Sequence, residues 1–175
     1  MPGQITRAGF IASGALFALT GKALAAVPDG DLAYLCLLVG VELLTQDYAA
    51  THAGDPAVAQ MRADDGAHYR GLANLMAQSG QTAATADDVD FSYPKGTPAL
   101  ELGWQLKQLS LGAYLGAVQW LQTPALRLPV GQIAANEAQH LSAFAHLLGK
   151  PLIGNAFATA LPISTVSDAL DRYES

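Results

Sequence analysis

Four segments of the chain carry apolar residues at helical spacing, and prolines and glycines mark most of their ends. The predicted helices are residues 31–51, 56–78, 98–121 and 130–148. At a rise of about 1.5 Å per residue, each helix is about 30 Å long. The first is apolar almost all round, as expected of a central helix. Long helices of similar length that each need a partner for their apolar surface predict an all-α bundle.

The connections between these helices predict how they are arranged in space. The first and third connections are short, about 5 to 8 residues, so helices one and two, and helices three and four, are expected to form antiparallel hairpins. The middle connection, residues 81–97, can return along the whole bundle at about 3.3 Å per residue. One long central crossover is the ferritin-like arrangement of a four-helix bundle. A short additional helix is expected over residues 164–172.

The N-terminus has the pattern of an export signal. Arg7 is the only charge before Lys22, the run Phe10–Leu19 is apolar, and Ala23-Leu24-Ala25 is a small-x-small cleavage pattern. The alternative is an extra bundle helix, which the glycines in this segment and the following Pro28 disfavour. We therefore expect an exported protein, periplasmic or extracellular, with the general secretory and twin-arginine routes both open.

The resulting domain prediction has three parts: an export signal at 1–26, a ferritin-like four-helix bundle at 27–150, and a C-terminal extension with a short helix at 151–175. Ten apolar residues in the signal are too few to span a bilayer, and no later apolar run reaches about 18 residues. The mature chain is therefore not expected to insert into a membrane.

Charge and cysteine content exclude two classes of partner or site. Nine basic residues against fifteen acidic ones give a net charge of −6, and the basic residues are scattered singly. No basic stripe can neutralise a phosphate backbone, so nucleic acid is not an expected partner. The single cysteine, Cys36, excludes an intramolecular disulfide and a cysteine-rich zinc or iron–sulfur site.

Two acid-x-x-His pairs lie on alternate predicted helices. Asp65 and His68 on helix two, and Glu137 and His140 on helix four, are each three residues apart and so share a helix face. A further acid, Glu42, lies within the apolar stretch LCLLVGVELL, where an ionised carboxylate is costly unless it is paired or bound to metal. A single pair is weak evidence, but two pairs and a buried acid predict the carboxylate–histidine metal centre of helical bundles.

On these residues and the segment AYLGA at 113–117, the sequence resembles small exported bacterial ferritin-like domain proteins over about residues 30–150. The resemblance implies two iron or manganese ions that handle oxygen or peroxide, and at most an oxidase-like or peroxidase-like activity. It implies that the metal ligands are Glu42, Asp65, His68, Glu137 and His140. It also implies a helix-three glutamate seven residues before Tyr114, and at that position this chain has Lys107.

Lys107 changes the charge balance of such a centre. Four carboxylates neutralise two divalent cations, whereas three carboxylates and one ammonium leave a net charge of +2. At about 4 Å and an effective dielectric near 20, each unit repulsion costs about 4 kcal/mol. Two ions are therefore disfavoured unless the Lys107 side chain swings away from the centre. The sequence leaves open a centre with one metal ion, or a metal-free structural or interaction bundle in which Lys107 replaces a metal ion through ion pairs.

Two other residues of helix three bear on this prediction. Glu101 points about 120° away from Lys107 and would replace it as a ligand only in a different helix register. Tyr114 is expected to be a core residue whose hydroxyl finds a hydrogen-bond partner. The substrate is not determined by the sequence, and a homodimer remains open.

Overall fold

The computed structural model describes residues 27–52 and 56–175, apart from the side chains of 56 and 57, together with the backbone of four residues near the N-terminus. These four residues form two short antiparallel strands, β1 (Ala18–Leu19) and β2 (Lys22–Ala23). Most of the predicted export signal lies outside the described residues, so export stays a prediction.

Four long helices and one short helix make up the described fold. They are α1 (Asp29–Thr51), α2 (Pro56–Ala77), α3 (Ala99–Trp120), α4 (Pro124–Leu147) and α5 (Ile163–Leu170). Helix α1 packs mainly against α2, α3 packs mainly against α4, and α5 lies against α1 and α3. The long connection between α2 and α3 contains one turn of 3-10 helix, Ala86–Asp88. The predicted all-α bundle with one long central crossover and a short C-terminal helix is confirmed.

Helix α1 occupies the centre of the bundle because apolar residues cover most of its circumference. Leu35, Val39, Val41 and Leu44 have no exposed surface. Among the described residues, α1 is also the one helix long and apolar enough to cross a membrane, and 67% of that window is buried inside the bundle. A core helix of a bundle meets the same criterion, so the prediction about membrane insertion stays a prediction.

The predicted start of the fourth helix is wrong. Helix α4 begins at Pro124 rather than Val130, and Pro129 lies inside it. Proline at the first helical position costs no hydrogen bond. Pro129 removes one bond, to the carbonyl of Ala125, and Ala125 is exposed so that water can satisfy that carbonyl. The α3–α4 connection is therefore only residues 121–123.

This tight connection is held by a buried acid from the start of α1. The Asp31 carboxylate accepts the backbone N–H groups of Gln122 and Thr123, each at 2.8 Å, and Asp31 itself has no exposed surface. Because Thr123 immediately precedes α4, these bonds satisfy backbone donors at the helix start. Asp31 thereby fixes the position of α4 relative to α1.

Replacing Asp31 with Ala is expected to lower the free energy of unfolding by about 2 kcal/mol, because two hydrogen bonds to a charged group are lost. Urea unfolding followed by circular dichroism measures this loss. Asp29→Ala is the matched control, since Asp29 lies in the same helical turn but is exposed, and we expect it to cost less than about 1 kcal/mol. Equal losses in the two variants would contradict the role given to Asp31.

Candidate metal centre

The predicted site residues lie together in the middle of the bundle, one set on each long helix. Glu42 comes from α1, Asp65 and His68 from α2, Lys107 from α3, and Glu137 and His140 from α4. All except His68 are classed as buried, and the His68 side chain is only 11% exposed. The i,i+3 spacing places each acid and its histidine on the inward face of one helix, as the sequence predicts.

Four of these residues form one compact group. Glu42, Asp65, His68 and Glu137 each offer one ligand atom, and these atoms all lie within 4.8 Å of one another. The His68 Nδ1 atom is 3.3 Å from Glu137 Oε1 and 3.5 Å from Glu42 Oε1. Carboxylate oxygens with one imidazole nitrogen form a donor set that suits divalent iron, manganese or zinc.

His140 lies beside this group rather than within it. Its Nδ1 atom is 3.4 Å from Glu137 Oε1 and 3.6 Å from Asp65 Oδ1, and its Nε2 atom is 3.0 Å from Asp64 Oδ2. The sequence prediction missed Asp64. No local pattern marks this contact, because it joins two helices across 76 residues of sequence. Asp64 is partly exposed, so His140 connects the buried carboxylates to the surface.

Lys107 lies between the carboxylates of α2 and α4. Its Nζ atom is 2.6 Å from Asp65 Oδ1 and 3.0 Å from Glu137 Oε2, and the residue is only 3% exposed. The ion pairs expected from the sequence are therefore present. A positive charge already lies between these two acids, and it would repel a second cation.

Tyr114 meets the expectation of a core tyrosine with a satisfied hydroxyl. It has no exposed surface, and its hydroxyl donates a hydrogen bond to Oε1 of Glu42. The other Glu42 oxygen, Oε2, has no hydrogen-bond partner among the described residues. Tyr114 thus fixes the Glu42 carboxyl group and leaves one of its oxygens free.

Burial and mutual contacts shift the ionisation of the centre. Burial raises the pKa of Glu42 to about 7. Burial alone would lower the pKa of His68, but the neighbouring carboxylates of Glu137 and Glu42 outweigh it and raise that pKa to about 10. Burial would raise the pKa of Glu137, yet the positive charge of Lys107 and contacts with both histidines hold it well below its usual range. Burial would lower the pKa of Lys107, but the charges of Glu137, Asp65 and Glu42 outweigh it and raise that pKa. Without metal at pH 7, Lys107 and His68 are therefore cationic and Glu137 is anionic.

Several buried polar atoms of the centre lack well-formed hydrogen bonds among the described residues: Glu42 Oε2, Asp65 Oδ2, His68 Nδ1 and His140 Nδ1. Buried polar groups in folded proteins are nearly always satisfied, so these atoms are available to hydrogen-bond to water or to bind a cation. One cation fits because the compact group surrounds a single position. Two cations do not fit, because the Lys107 ammonium already forms ion pairs with Asp65 and Glu137 and would repel a second cation.

The family model of the ferritin-like domain matches residues 33–150. This match covers more than half of the chain and contains all five predicted ligands together with Lys107. No curated protein matches the chain.

Proposed function

Because the chain belongs to the ferritin-like domain family, we propose that it is a metal-binding bundle whose centre holds one divalent iron or manganese ion next to Lys107. The ligands in this proposal are Glu42, His68 and Glu137, with Asp65 contributing its unsatisfied oxygen. The observation that carries the proposal is the convergence of four buried ligand atoms within 4.8 Å of one another.

Charge supports one ion rather than two. The three buried carboxylates carry three negative charges, and Lys107 neutralises one of them. A single divalent cation neutralises the other two, provided that His68 binds it as a neutral imidazole. An uncompensated charge in a buried centre is costly, so this neutral combination is favoured over a centre with two ions.

The protein's own residues have distinct roles in this centre. Lys107 donates hydrogen bonds to Asp65 and Glu137, and its positive charge keeps these acids from binding a second cation. Tyr114 fixes the orientation of Glu42. Glu42 and His68 release any bound proton when they become ligands. A bound iron or manganese ion would supply redox or Lewis-acid chemistry at this position.

A metal-free structural or interaction bundle is the second candidate, and one observation favours it. His68 Nδ1 approaches both Glu42 and Glu137, and its raised pKa of about 10 keeps it cationic at pH 7. A protonated His68 with Lys107 then balances most of the buried negative charge. The two candidates differ in whether a divalent cation displaces the proton of His68.

Metal titration of the chelated protein tests the proposal. We expect one Mn²⁺ or anaerobically added Fe²⁺ per chain, measured by equilibrium dialysis and elemental analysis. Glu42→Gln replaces an anionic ligand with a neutral amide, and His68→Gln replaces an imidazole with an amide, so each is expected to weaken binding by about 100-fold. Glu101→Gln is the control because Glu101 pairs with the partly exposed Lys150 at 3.2 Å and should leave metal affinity unchanged.

Two outcomes of this titration contradict the proposal. One is the absence of metal binding by folded wild-type protein, which supports the metal-free bundle. The other is equal metal affinity in Glu42→Gln and Glu101→Gln, which places the ion elsewhere. Circular dichroism of each variant shows that the bundle remains folded.

Export is a separate proposal that rests on the sequence pattern of residues 7–25. If the protein is exported, the metal centre lies in the periplasm or outside the cell. Homodimer formation also stays a prediction. The metal proposal needs neither export nor a dimer, because all proposed ligands come from one chain.

A further inference from the structure

A second concave site lies on the other side of α3 and α4 from the described metal centre. It is a cavity of about 610 Å³ between these two helices and the segment that follows α4. We call residues 150–161 the C-terminal strap. The cavity volume lies within the range of about 300–1,000 Å³ that is usual for small-molecule sites. None of the proposed metal ligands lines it.

The C-terminal strap is anchored at both ends. At its start, the Lys150 ammonium lies 3.9 Å from the centroid of the Trp104 ring and 3.2 Å from the Glu101 carboxylate. At its end, Leu161 N donates to Gly112 O at 2.8 Å. A Cβ atom at Gly112 would lie 2.6 Å from Leu161 Cγ, so this close crossing requires glycine on α3. These contacts fix both ends of the strap, and residues between them form one wall of the cavity.

Between its anchors, the strap exposes large apolar side chains. Ile153 and Phe157 are each 90% exposed, although they are next to strap residues that line the cavity, such as Gly154 and Ala158. Exposure of an isoleucine and a phenylalanine on one short segment is unfavourable in water. Turning these side chains toward the cavity would bury them only if something filled the space beneath.

The cavity lining indicates the chemistry of its occupant. Among the residues that the structure describes, no charged side chain lines the cavity, and most of the lining is apolar. The polar side chains in the lining are uncharged: Gln108, Ser142, Asn155 and Thr159. The lining holds no counter-charge for an ionised ligand, and the nearby Lys150 ammonium is already paired with Glu101. Hydroxyl or carbonyl groups, in contrast, could hydrogen-bond to these four side chains.

We propose that this cavity binds an uncharged, largely apolar small molecule with a few hydrogen-bonding groups, and that the C-terminal strap closes over it with Ile153 and Phe157. This site is independent of the metal centre, because the two share helices α3 and α4 but no lining residue.

Two dyes that differ only in charge provide the probe. N-phenyl-1-naphthylamine is uncharged, and 1-anilinonaphthalene-8-sulfonate has the same rings with one added sulfonate. In fluorescence titrations of the full-length protein, we expect saturable binding of one uncharged dye per chain. The sulfonated dye is expected to bind at least about tenfold more weakly, because the lining offers it no positive charge. Equal binding of the two dyes would overturn the assignment of an uncharged ligand.

Variants locate the bound dye. Ala138→Phe fills the cavity from α4 and should weaken binding of the uncharged dye at least tenfold. Ala135→Phe is the control, because it adds the same ring at an exposed position of α4 outside the lining, and it should leave dye binding unchanged. Gly154→Phe adds a ring to a strap residue that lines the cavity, at a position where an added Cβ meets no atom within 4 Å, and carries the test if Ala138→Phe fails to fold. Phe157→Ser should weaken binding severalfold. Absence of saturable binding, or unchanged affinity in the folded cavity-filling variants, would overturn the proposal.

Discussion

Lys107→Glu is expected to raise the metal content of the protein from one divalent ion per chain to two. The substitution exchanges an ammonium for a carboxylate, so four carboxylates would neutralise two divalent cations. In the wild type, the Lys107 ammonium lies within 3.0 Å of Asp65 and Glu137, so a second cation bound by these acids would be repelled. A repulsion of about 4 kcal/mol for each pair of unit charges already corresponds to about a 1,000-fold loss of affinity for a second ion.

The geometry also suits this change. A glutamate side chain is one bond shorter than lysine, so its oxygen would stop short of the present Nζ position and leave room for a metal–oxygen bond of about 2 Å. Equilibrium dialysis with Mn²⁺, followed by elemental analysis, gives the number of bound ions. Lys107→Gln is the control, because it removes the positive charge without adding a negative one, and it should still hold fewer than two tightly bound ions. If Lys107→Glu bound no more metal than the wild type, Lys107 would not be the residue that excludes the second ion.

Lys107→Met is expected to destabilise the metal-free bundle by about 3–5 kcal/mol. Removing one partner from a buried ion-pair network leaves charges without compensation, and this is among the most costly single substitutions. Here Asp65 and Glu137 would both lose the ammonium that they contact. Urea unfolding in the presence of a chelator measures the loss. Lys150→Met is the control, because the partly exposed pair of Lys150 with Glu101 should contribute about 1 kcal/mol or less.

The pH dependence of this loss follows from the pKa of Glu137. In the wild type, this pKa lies well below its usual value because Lys107 and the two histidines favour the ionised form despite burial. A depressed pKa in the folded state stabilises the protein above the unfolded pKa, and this stabilisation disappears as the pH falls through the folded value. The variant lacks the contribution of Lys107, so the difference in stability between the two proteins should shrink in acid. A difference that stays constant with pH would contradict this origin.

The sequence predicted the bundle because its signals are local. Apolar residues at helical spacing define the helices, and the length of the central connection defines the crossover. The i,i+3 spacing in Asp65/His68 and Glu137/His140 likewise places each pair on one helix face before any packing is known. Lys107 was recognised by its position relative to Tyr114. The structure places all these side chains in one buried centre.

Features that depend on contacts between distant segments were not predicted. Two such contacts join residues far apart in sequence. Asp64 pairs with His140. Asp31 accepts hydrogen bonds from the backbone N–H groups of Gln122 and Thr123. Pro129 looked like a helix boundary because proline often ends helices, but a solvated carbonyl one turn earlier tolerates it. The cavity under the C-terminal strap depends on how residues without regular structure cross α3. The course of such a segment cannot be predicted from sequence periodicity.

Anomalous diffraction from crystals of the wild-type protein soaked with Mn²⁺ would locate the bound ion. We expect one anomalous peak per chain, within bonding distance of Glu42, His68 and Glu137, while Lys107 keeps its contact with Asp65. Two peaks in the centre, or no peak in crystals that hold saturating Mn²⁺, would contradict a single divalent ion held next to Lys107.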